Sequence, residues 1–240
     1  MNAIDTSMTV GDLVAQHPDR ARVFERYGID YCCGGKQPLA AACAEAGVDA
    51  EDVARALAEA DTHAVPGETD WSTAPLAKLV EHIVATHHAY LRRERPRLTG
   101  LAAKVFEVHG ERHPELDECR DVFAGLRAEL EAHMQKEEVI LFPMIAQMEA
   151  TGSAECVHCG GVRNPIRVME MEHESAGAAL AALRRLTGGY TPPADACNSY
   201  RAVLSGLAAL EADLHQHIHK ENNILFPRAA RLEETLAAES

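Results

Sequence analysis

The stretch HMQKEEVILFP at residues 133–143 returns as HIHKENNILFP at residues 217–227, 84 residues later and without a gap. Seven of the eleven positions are identical. The repeat extends upstream, because His88 and His173 precede the two copies by 45 and 44 residues. Each half of the repeat is therefore one histidine followed by a His-x-x-x-Glu pair, which indicates two structurally equivalent halves of one domain.

Helical periodicity surrounds both copies. Apolar residues recur at i, i+3, i+4 and i+7, which is typical of amphipathic helices. Four long segments have this pattern: from about Pro75 to beyond Leu91, from Pro114 to Glu149, from Pro165 to Thr187, and from Asp195 to Leu236. Four such helices with short connections predict an all-α fold, an antiparallel four-helix bundle.

The first 66 residues predict a small helical domain of their own. Pro18 is placed to begin a helix and Gly28 to end one. Residues 62–75, THAVPGETDWSTAP, contain two prolines and several polar residues, as linkers do. We therefore expect an N-terminal domain over residues 1–66 and the bundle over residues 67–240, with the boundary near Gly67.

Composition narrows the class of function. The net charge of −14 argues against a nucleic-acid partner, which needs clustered basic residues. No apolar run approaches the ~18 residues of a membrane helix, and the first residues do not resemble a signal peptide. A cytoplasmic protein without a membrane or nucleic-acid partner is expected, with its seven cysteines as thiols or ligands.

The repeated pairs predict metal ligands. Residues four apart on a helix point only about 40° from each other, so His133 and Glu137 share a face. Ile140 and Met144 are expected to continue that face toward the core. A buried carboxylate costs several kcal/mol unless a positive centre compensates its charge. The sequence therefore predicts six metal ligands: His88, His133, Glu137, His173, His217 and Glu221.

Six ligands are too many for one structural zinc ion, which four ligands close. Two metal ions that share bridging carboxylates fit better, and mixed nitrogen and oxygen ligation suits redox-active iron, although manganese or zinc could also bind. A ferritin-like site needs Glu-x-x-His on two helices. Only Glu170 and His173 have that spacing, and the repeat equivalent of Glu170 is Ala85. A hemerythrin-like site with two non-haem iron ions is favoured.

Other polar residues near the ligands have lesser predicted roles. Glu81 is a candidate partner for an imidazole N–H. The remaining histidines near the repeats are expected beside or away from the helix faces that point toward the core, mainly in solvent: His82, His87, His215 and His219.

Two cysteines are adjacent in the turn DYCCGGK, residues 30–36. Adjacent cysteines seldom form a disulfide, so Cys32 and Cys33 are predicted to be thiols with a reactive or ligating role. Lys36 and the helix start at Pro38 are expected to lower their pKa. A purely structural turn is the alternative.

The other cysteines divide into two groups. The loop ECVHCGG, residues 155–161, is expected to be inert or redox-active rather than a zinc site; its candidate residues are Cys156, His158 and Cys159. Three more are expected to be small apolar residues on helices: Cys43, Cys119 and Cys197.

With these motifs the chain resembles the di-iron proteins that repair iron–sulfur clusters. The motifs are YCCGG at residues 31–35, VMEMEH ending at His173, and the patterns H-x-x-KEE-x-ILFP and HI-x-x-ENN-x-LFPR in the two repeats. The resemblance implies a carboxylate-bridged pair of iron ions on the six predicted ligands. It also implies repair of clusters damaged by nitric oxide or oxidative stress, with the cysteine module assisting by thiol chemistry or iron handover. The CVHCGG loop is not part of this resemblance.

Two other functions remain open. A hemerythrin-like protein could bind, store or sense dioxygen or nitric oxide without repairing anything. An enzyme with the same ligands could reduce nitric oxide. The sequence does not choose between an iron donor and a reductase, and it leaves open the electron donor and whether the chain forms a homodimer.

Overall fold

A computed structural model describes residues 4–63, 69–153 and 161–239. Within these ranges the regular elements are helices, and the β-type pairing found is one isolated bridge between Thr9 and Pro38. The all-α prediction is therefore confirmed. Contacts divide the chain into two compact units. The first comprises Met1–Val80, Ile145–Val162 and His215–Ser240, and the second comprises Glu81–Met144 and Arg163–Leu214.

Four short helices form the N-terminal part of the first unit: α1, Val10–Gln16; α2, Ala21–Tyr27; α3, Leu39–Ala46; and α4, Ala50–Ala60. Their ends follow the sequence. Gly28 ends α2 with a left-handed backbone, φ 68°, and the Asp49 carboxylate accepts hydrogen bonds from the first backbone N–H groups of α4. The boundary predicted near Gly67 lies outside the described residues, so the division at that point stays a prediction.

The core of the first unit is built mainly from these helices and the turn between α2 and α3. Phe24, Tyr31, Leu39 and Leu57 are all buried in it. Ile218, from the last part of the chain, is 1% exposed in the same cluster. Ile218 thus ties a distant part of the sequence to the N-terminal core.

The longer helices follow the four predicted segments. They are α5, Leu76–Ile83; α6, Ala89–His109; α7, Glu115–Lys136; α8, Phe142–Thr151; α9, Arg163–Leu186; α10, Asn198–His219; and α11, Phe226–Glu239. In the second unit α6, α7, α9 and α10 contribute to one apolar core, which includes Leu98, Leu126, Leu180 and Leu207. This is the predicted four-helix packing. None of the helices in the described ranges combines the length and the apolarity needed to cross a membrane.

Three of the long helical segments contain a π-helical stretch. These stretches are Val84–His88, Glu137–Leu141 and Lys220–Leu225. A π-helical turn takes one more residue than an α-helical turn and so shifts the register of the residues after it. Ile140 is consequently 46% exposed, while Leu141 and Ile145 are buried. The prediction that Ile140 continues the inward stripe is therefore wrong by one residue.

Candidate metal centre

In the second unit, the side chain of Glu137 lies between two imidazole rings. The Glu137 and His88 side chains are 0% exposed, and Glu137 Oε2 is 3.3 Å from His88 Nε2. The other oxygen, Oε1, is 3.3 Å from His133 Nε2. Each oxygen of one buried carboxylate thus faces a different imidazole nitrogen, an arrangement suited to a carboxylate that bridges two metal ions.

His173 joins the same group from α9. It is 2% exposed, and its Nε2 lies 3.1 Å from His133 Nε2. His133, Glu137 and His173 each offer a ligand atom within 4.8 Å of the others. The second unit therefore brings together all four ligands predicted in its part of the chain.

The remaining two predicted ligands lie in the first unit. His217 Nε2 is 2.9 Å from Glu221 Oε1, and the two side chains are 1% and 0% exposed. Their spacing of four residues brings both side chains to the same side of the helix. Glu221 lies in the π-helical stretch Lys220–Leu225, as Glu137 lies in Glu137–Leu141.

The chemistry of these groups fits a metal. A carboxylate with no exposure is stabilised only by a compensating charge or by hydrogen bonds, and imidazole with carboxylate is the donor set that iron and similar transition metals take. The buried histidines and glutamates are therefore suited to a metal site.

Two further carboxylates orient the imidazoles in the second unit. His88 Nδ1 donates to Glu138 Oε1 over 2.6 Å, and His133 Nδ1 donates to Glu172 Oε2 over 2.9 Å. An ionised carboxylate only accepts hydrogen bonds, so Nδ1 carries a proton in each ring, and the neutral form of the ring then has its lone pair on Nε2. This is the usual orientation of metal-binding histidines.

Basic residues keep these carboxylates ionised. Burial raises the pKa of Glu138, but hydrogen bonds from Arg92 and His88 outweigh it and hold that pKa below the usual value. The pKa of Glu172 is lowered in the same way, with burial opposed by Lys136 and His133. Glu81, which was predicted to accept a hydrogen bond from an imidazole N–H, is exposed. Glu138 has that role instead. The sequence offered one signal for these two carboxylates, because each is adjacent to a predicted ligand: Glu138 follows Glu137, and Glu172 precedes His173.

The other histidines differ from the prediction in two cases. His82 and His215 are partly exposed. His87 is buried, with its Nδ1 2.9 Å from Asp213 Oδ1. His219 is also buried, with its Nδ1 3.4 Å from the Tyr31 carbonyl oxygen, and burial lowers its pKa to about 4. The expectation of solvent exposure is wrong for both, because each ring packs on another part of its own unit.

The cysteine turn is organised by Asp30, a residue that the sequence did not single out. Its carboxylate accepts hydrogen bonds from the backbone N–H groups of Cys32, Cys33 and Gly34 at 2.9 to 3.0 Å. Aspartate commonly caps turns in this way. Asp30, Cys32 and Cys33 offer ligand atoms within 4.8 Å of one another.

Asn223 fixes the same turn from the other side. Its Nδ2 donates to the carbonyl oxygens of Tyr31 and Cys32 over 3.2 and 3.0 Å. A Cβ added to Gly11 would lie 2.6 Å from Asn223 Oδ1, and one added to Gly35 would overlap the amide even more closely. The glycines thus allow a close approach between the turn and Asn223.

The environment of Cys32 does not activate its thiol. The hydrogen bond with Cys33, burial and the carboxylate of Asp30 together raise the pKa of Cys32 well above its usual value. The predicted lowering by Lys36 is therefore wrong for Cys32: Lys36 is exposed, whereas Asp30 Oδ1 lies 3.1 Å from the Cys32 Sγ. Cys32 is a protonated thiol at neutral pH.

Of the other cysteines, Cys43 and Cys119 are buried on helices as predicted. Cys197 is exposed and precedes α10, so the prediction of a small apolar residue on a helix is wrong for it. The candidate loop with Cys156, His158 and Cys159 lies outside the described residues.

Comparison with known proteins gives the family. Residues 79–229 match the hemerythrin HHE cation binding domain, and residues 6–61 match a domain of unknown function, DUF542. The chain is 40% identical over 220 residues to the iron-sulfur cluster repair protein YtfE of Citrobacter koseri. The aligned residues make up 92% of this chain and 95% of that protein. The identity and both shares are the same for YtfE of Escherichia coli O157:H7 and of Shigella boydii.

The resemblance found in the motifs is thereby confirmed over nearly the whole length, including both the cysteine module and the hemerythrin-like region. The chain belongs to the family of the YtfE iron-sulfur cluster repair proteins.

Proposed function

We propose that the six predicted ligands hold two non-haem iron ions, with Glu137 and Glu221 as bridging carboxylates. The observation that carries this proposal is the position of Glu137, each of whose oxygens lies 3.3 Å from a different imidazole Nε2. The sequence repeat supports an equivalent role for Glu221, whose partner His217 is the counterpart of His133. The donor set of four imidazoles and two carboxylates suits iron.

We propose further that the protein repairs iron–sulfur clusters damaged by nitric oxide or oxidative stress, as the names of its relatives state cluster repair for them. Bound iron supplies redox chemistry and exchangeable coordination positions. The chain's own residues bind and orient: Glu138 and Glu172 keep the protons of His88 and His133 on Nδ1. Phe142 stacks on the His88 ring with centroids 5.8 Å apart, which excludes water from that side.

The cysteine turn has a supporting role in this proposal. Cys32 and Cys33 receive or deliver iron through their thiols, and binding of a metal ion displaces the thiol proton. The clients are damaged iron–sulfur proteins, and nitric oxide or dioxygen are the small ligands. Cys32 and Cys33 are thiols rather than a disulfide, which suits a reducing compartment, so we place this activity in the cytoplasm.

The test uses anaerobically purified, iron-loaded protein and a nitrosylated iron–sulfur client. Glu137→Ala should remove the di-iron spectrum and the repair of the client together. Glu174→Ala is the matched control, because Glu174 is exposed on the same helix as His173. Full repair by Glu137→Ala without a di-iron spectrum would contradict the proposal.

The same experiment separates the alternatives. Stable reversible dioxygen binding, with no client repair and no effect of Cys32→Ser, would indicate a hemerythrin-like binding or sensing protein. Formation of nitrous oxide over many turnovers would indicate a nitric oxide reductase, and so an enzyme.

A further inference from the structure

Large apolar side chains are exposed on one face of the second unit. Of the five that are exposed in the described ranges, four lie on α9 or in the π-helical stretch after α7: Val139, Ile140, Val168 and Met171. We call these four residues the apolar patch. Val139 and Met171 are 68% and 59% exposed. Apolar side chains clustered on a protein surface commonly mark an interface with another protein.

The packing of α7 against α9 brings the two parts of the patch together. Ser175 Oγ donates to Glu129 Oε2 over 3.0 Å, and Lys136 pairs with Glu172. Residue numbers therefore fall along α9 as they rise along α7, so the two helices are antiparallel. The same register, continued past Lys136, places the π-helical residues of the patch beside those of α9.

The outer face of α9 has a regular stripe of its own. Exposed residues follow one another at alternating steps of four and three: Asn164, Val168, Met171, Ser175 and Ala178. These steps give the 3.5-residue period of helices that pair with each other. The stripe is apolar at its centre and contains no charge. His173 lies on the opposite, buried face of α9, so the outer stripe is separate from the proposed iron ligands.

Two charged residues border the stripe on one side. Arg167 and Glu174 are exposed, and each directly precedes a stripe residue. Within the part of the chain that the structure describes, no hydrogen bond or ion pair joins either of them to another residue. A positive and a negative charge, seven residues apart, thus flank the centre of the stripe without a partner in their own unit.

The stripe and the charges fit one pairing of α9 with a second copy of itself. In a two-fold symmetric pair, residue i of one copy contacts residue j of the other, and j contacts i. When Arg167 of each copy lies opposite Glu174 of the other in an antiparallel pair, Val168 of each copy lies opposite Met171 of the other. Two apolar layers then meet at the centre, and two opposite-charge pairs lie beside them.

We propose that this face of the second unit binds a second copy of the chain, with the two α9 helices antiparallel. Burial of the apolar patch supplies the affinity. The exposed Arg167–Glu174 pairs set the register, since surface ion pairs contribute little energy but disfavour the wrong arrangement. A parallel pair would bring Arg167 toward Glu172, which Lys136 already holds. The net charge of −14 on each chain opposes association, so the dimer is reversible.

Sedimentation velocity of the iron-loaded full-length protein tests the proposal. Between about 1 and 100 µM the wild type should shift reversibly from one chain to two. Met171→Glu places two carboxylates in the central layers and should keep the protein monomeric over that range. Val108→Glu is the matched control, because Val108 is also 59% exposed but lies outside the patch. It should dimerise as the wild type does.

An exchange of charges tests the antiparallel register. Arg167→Glu and Glu174→Arg each replace two attractions by two repulsions, so each should raise the dissociation constant at least about tenfold. The double variant Arg167→Glu, Glu174→Arg restores opposite charges across the pair. It should return the dissociation constant to within about threefold of the wild-type value, because the two changes are coupled. Circular dichroism checks that each variant is folded.

Three results would contradict the proposal. A wild-type protein that stays monomeric over the whole range overturns it and leaves the patch to a different protein. Dimers that survive in Met171→Glu form through another surface and overturn it as well. A double variant that dimerises no more tightly than the single variants overturns the antiparallel pairing.

Discussion

At the scale of single residues, the carboxylates beside the ligands determine how the imidazoles are presented. Glu172 accepts from His133 Nδ1 and pairs with Lys136. Loss of such an orienting carboxylate typically costs 10- to 100-fold in metal affinity. We expect Glu172→Gln, which keeps the shape but not the charge, to weaken iron retention about tenfold in a chelator competition. Glu174→Gln is the control, and equal retention by the two variants would contradict the assigned role.

Gly35 is a second residue whose identity is dictated by a close approach. A Cβ there overlaps the Asn223 amide, which cannot move without losing its hydrogen bonds to the carbonyl oxygens of Tyr31 and Cys32. We expect Gly35→Ala to lower the free energy of unfolding by about 1 to 3 kcal/mol, as overpacking does. Gly100→Ala has open space around its Cβ and lies in α6, so it should raise that free energy by about 0.5 to 1 kcal/mol. Urea denaturation compares the two, and a Gly35→Ala variant as stable as the wild type would show that the turn adapts.

At the scale of elements, the π-helical stretches are the feature that the sequence did not reveal. Each of three contains or begins with a proposed ligand: His88, Glu137 and Glu221. Periodicity predicted the helices and the buried face that His133 and Glu137 share, because the shift in register comes after these two residues. It misplaced Ile140, because an α-helical repeat counts one residue too few across a π turn. The orienting role of Glu138 was missed for a different reason, which applies equally to Glu172 in the regular helix α9: adjacency to a ligand does not show that the side chain reaches an imidazole on another helix.

We expect the π-helical stretch Glu137–Leu141 to position metal ligands rather than to stabilise the fold. Deleting the 68%-exposed Val139 should restore a regular α-helix with Leu141 and Ile145 still inward, but with Glu137 and Glu138 displaced. We expect this deletion variant to keep its helical content by circular dichroism and to retain iron at least about tenfold less tightly, since a displaced ligand loses its geometry. Val139→Ala keeps the length of the helix and should bind iron normally. A deletion variant with unchanged iron affinity would assign the π turn to packing alone.

At the scale of the whole molecule, two faces of one helical segment have different tasks. His217 and Glu221 are proposed iron ligands. Residues two positions on, His219 and Asn223, contact the backbone of the cysteine turn within the first unit, because a helix rotates about 200° over two residues. The sequence indicated only the first face, since the second is recognisable only when its contacts with Tyr31 and Cys32 are known. A boundary at residue 67 consequently separates side chains that share one core.

The contribution of this shared core can be measured with Ile218, which is 1% exposed among the N-terminal helices. In the full chain, Ile218→Ala should cost about 2 to 5 kcal/mol in the free energy of unfolding, as for other buried isoleucines. A shortened chain of residues 67–240 lacks the N-terminal helices that bury Ile218. In that chain the same substitution should lower the free energy of unfolding by well under about 1 kcal/mol. The difference between the two costs is the coupling between Ile218 and residues 1–66, measured as in a double-mutant cycle. Equal costs in both chains, by denaturant titration, would mean that residues 67–240 bury Ile218 by themselves and that the predicted boundary marks two independent domains.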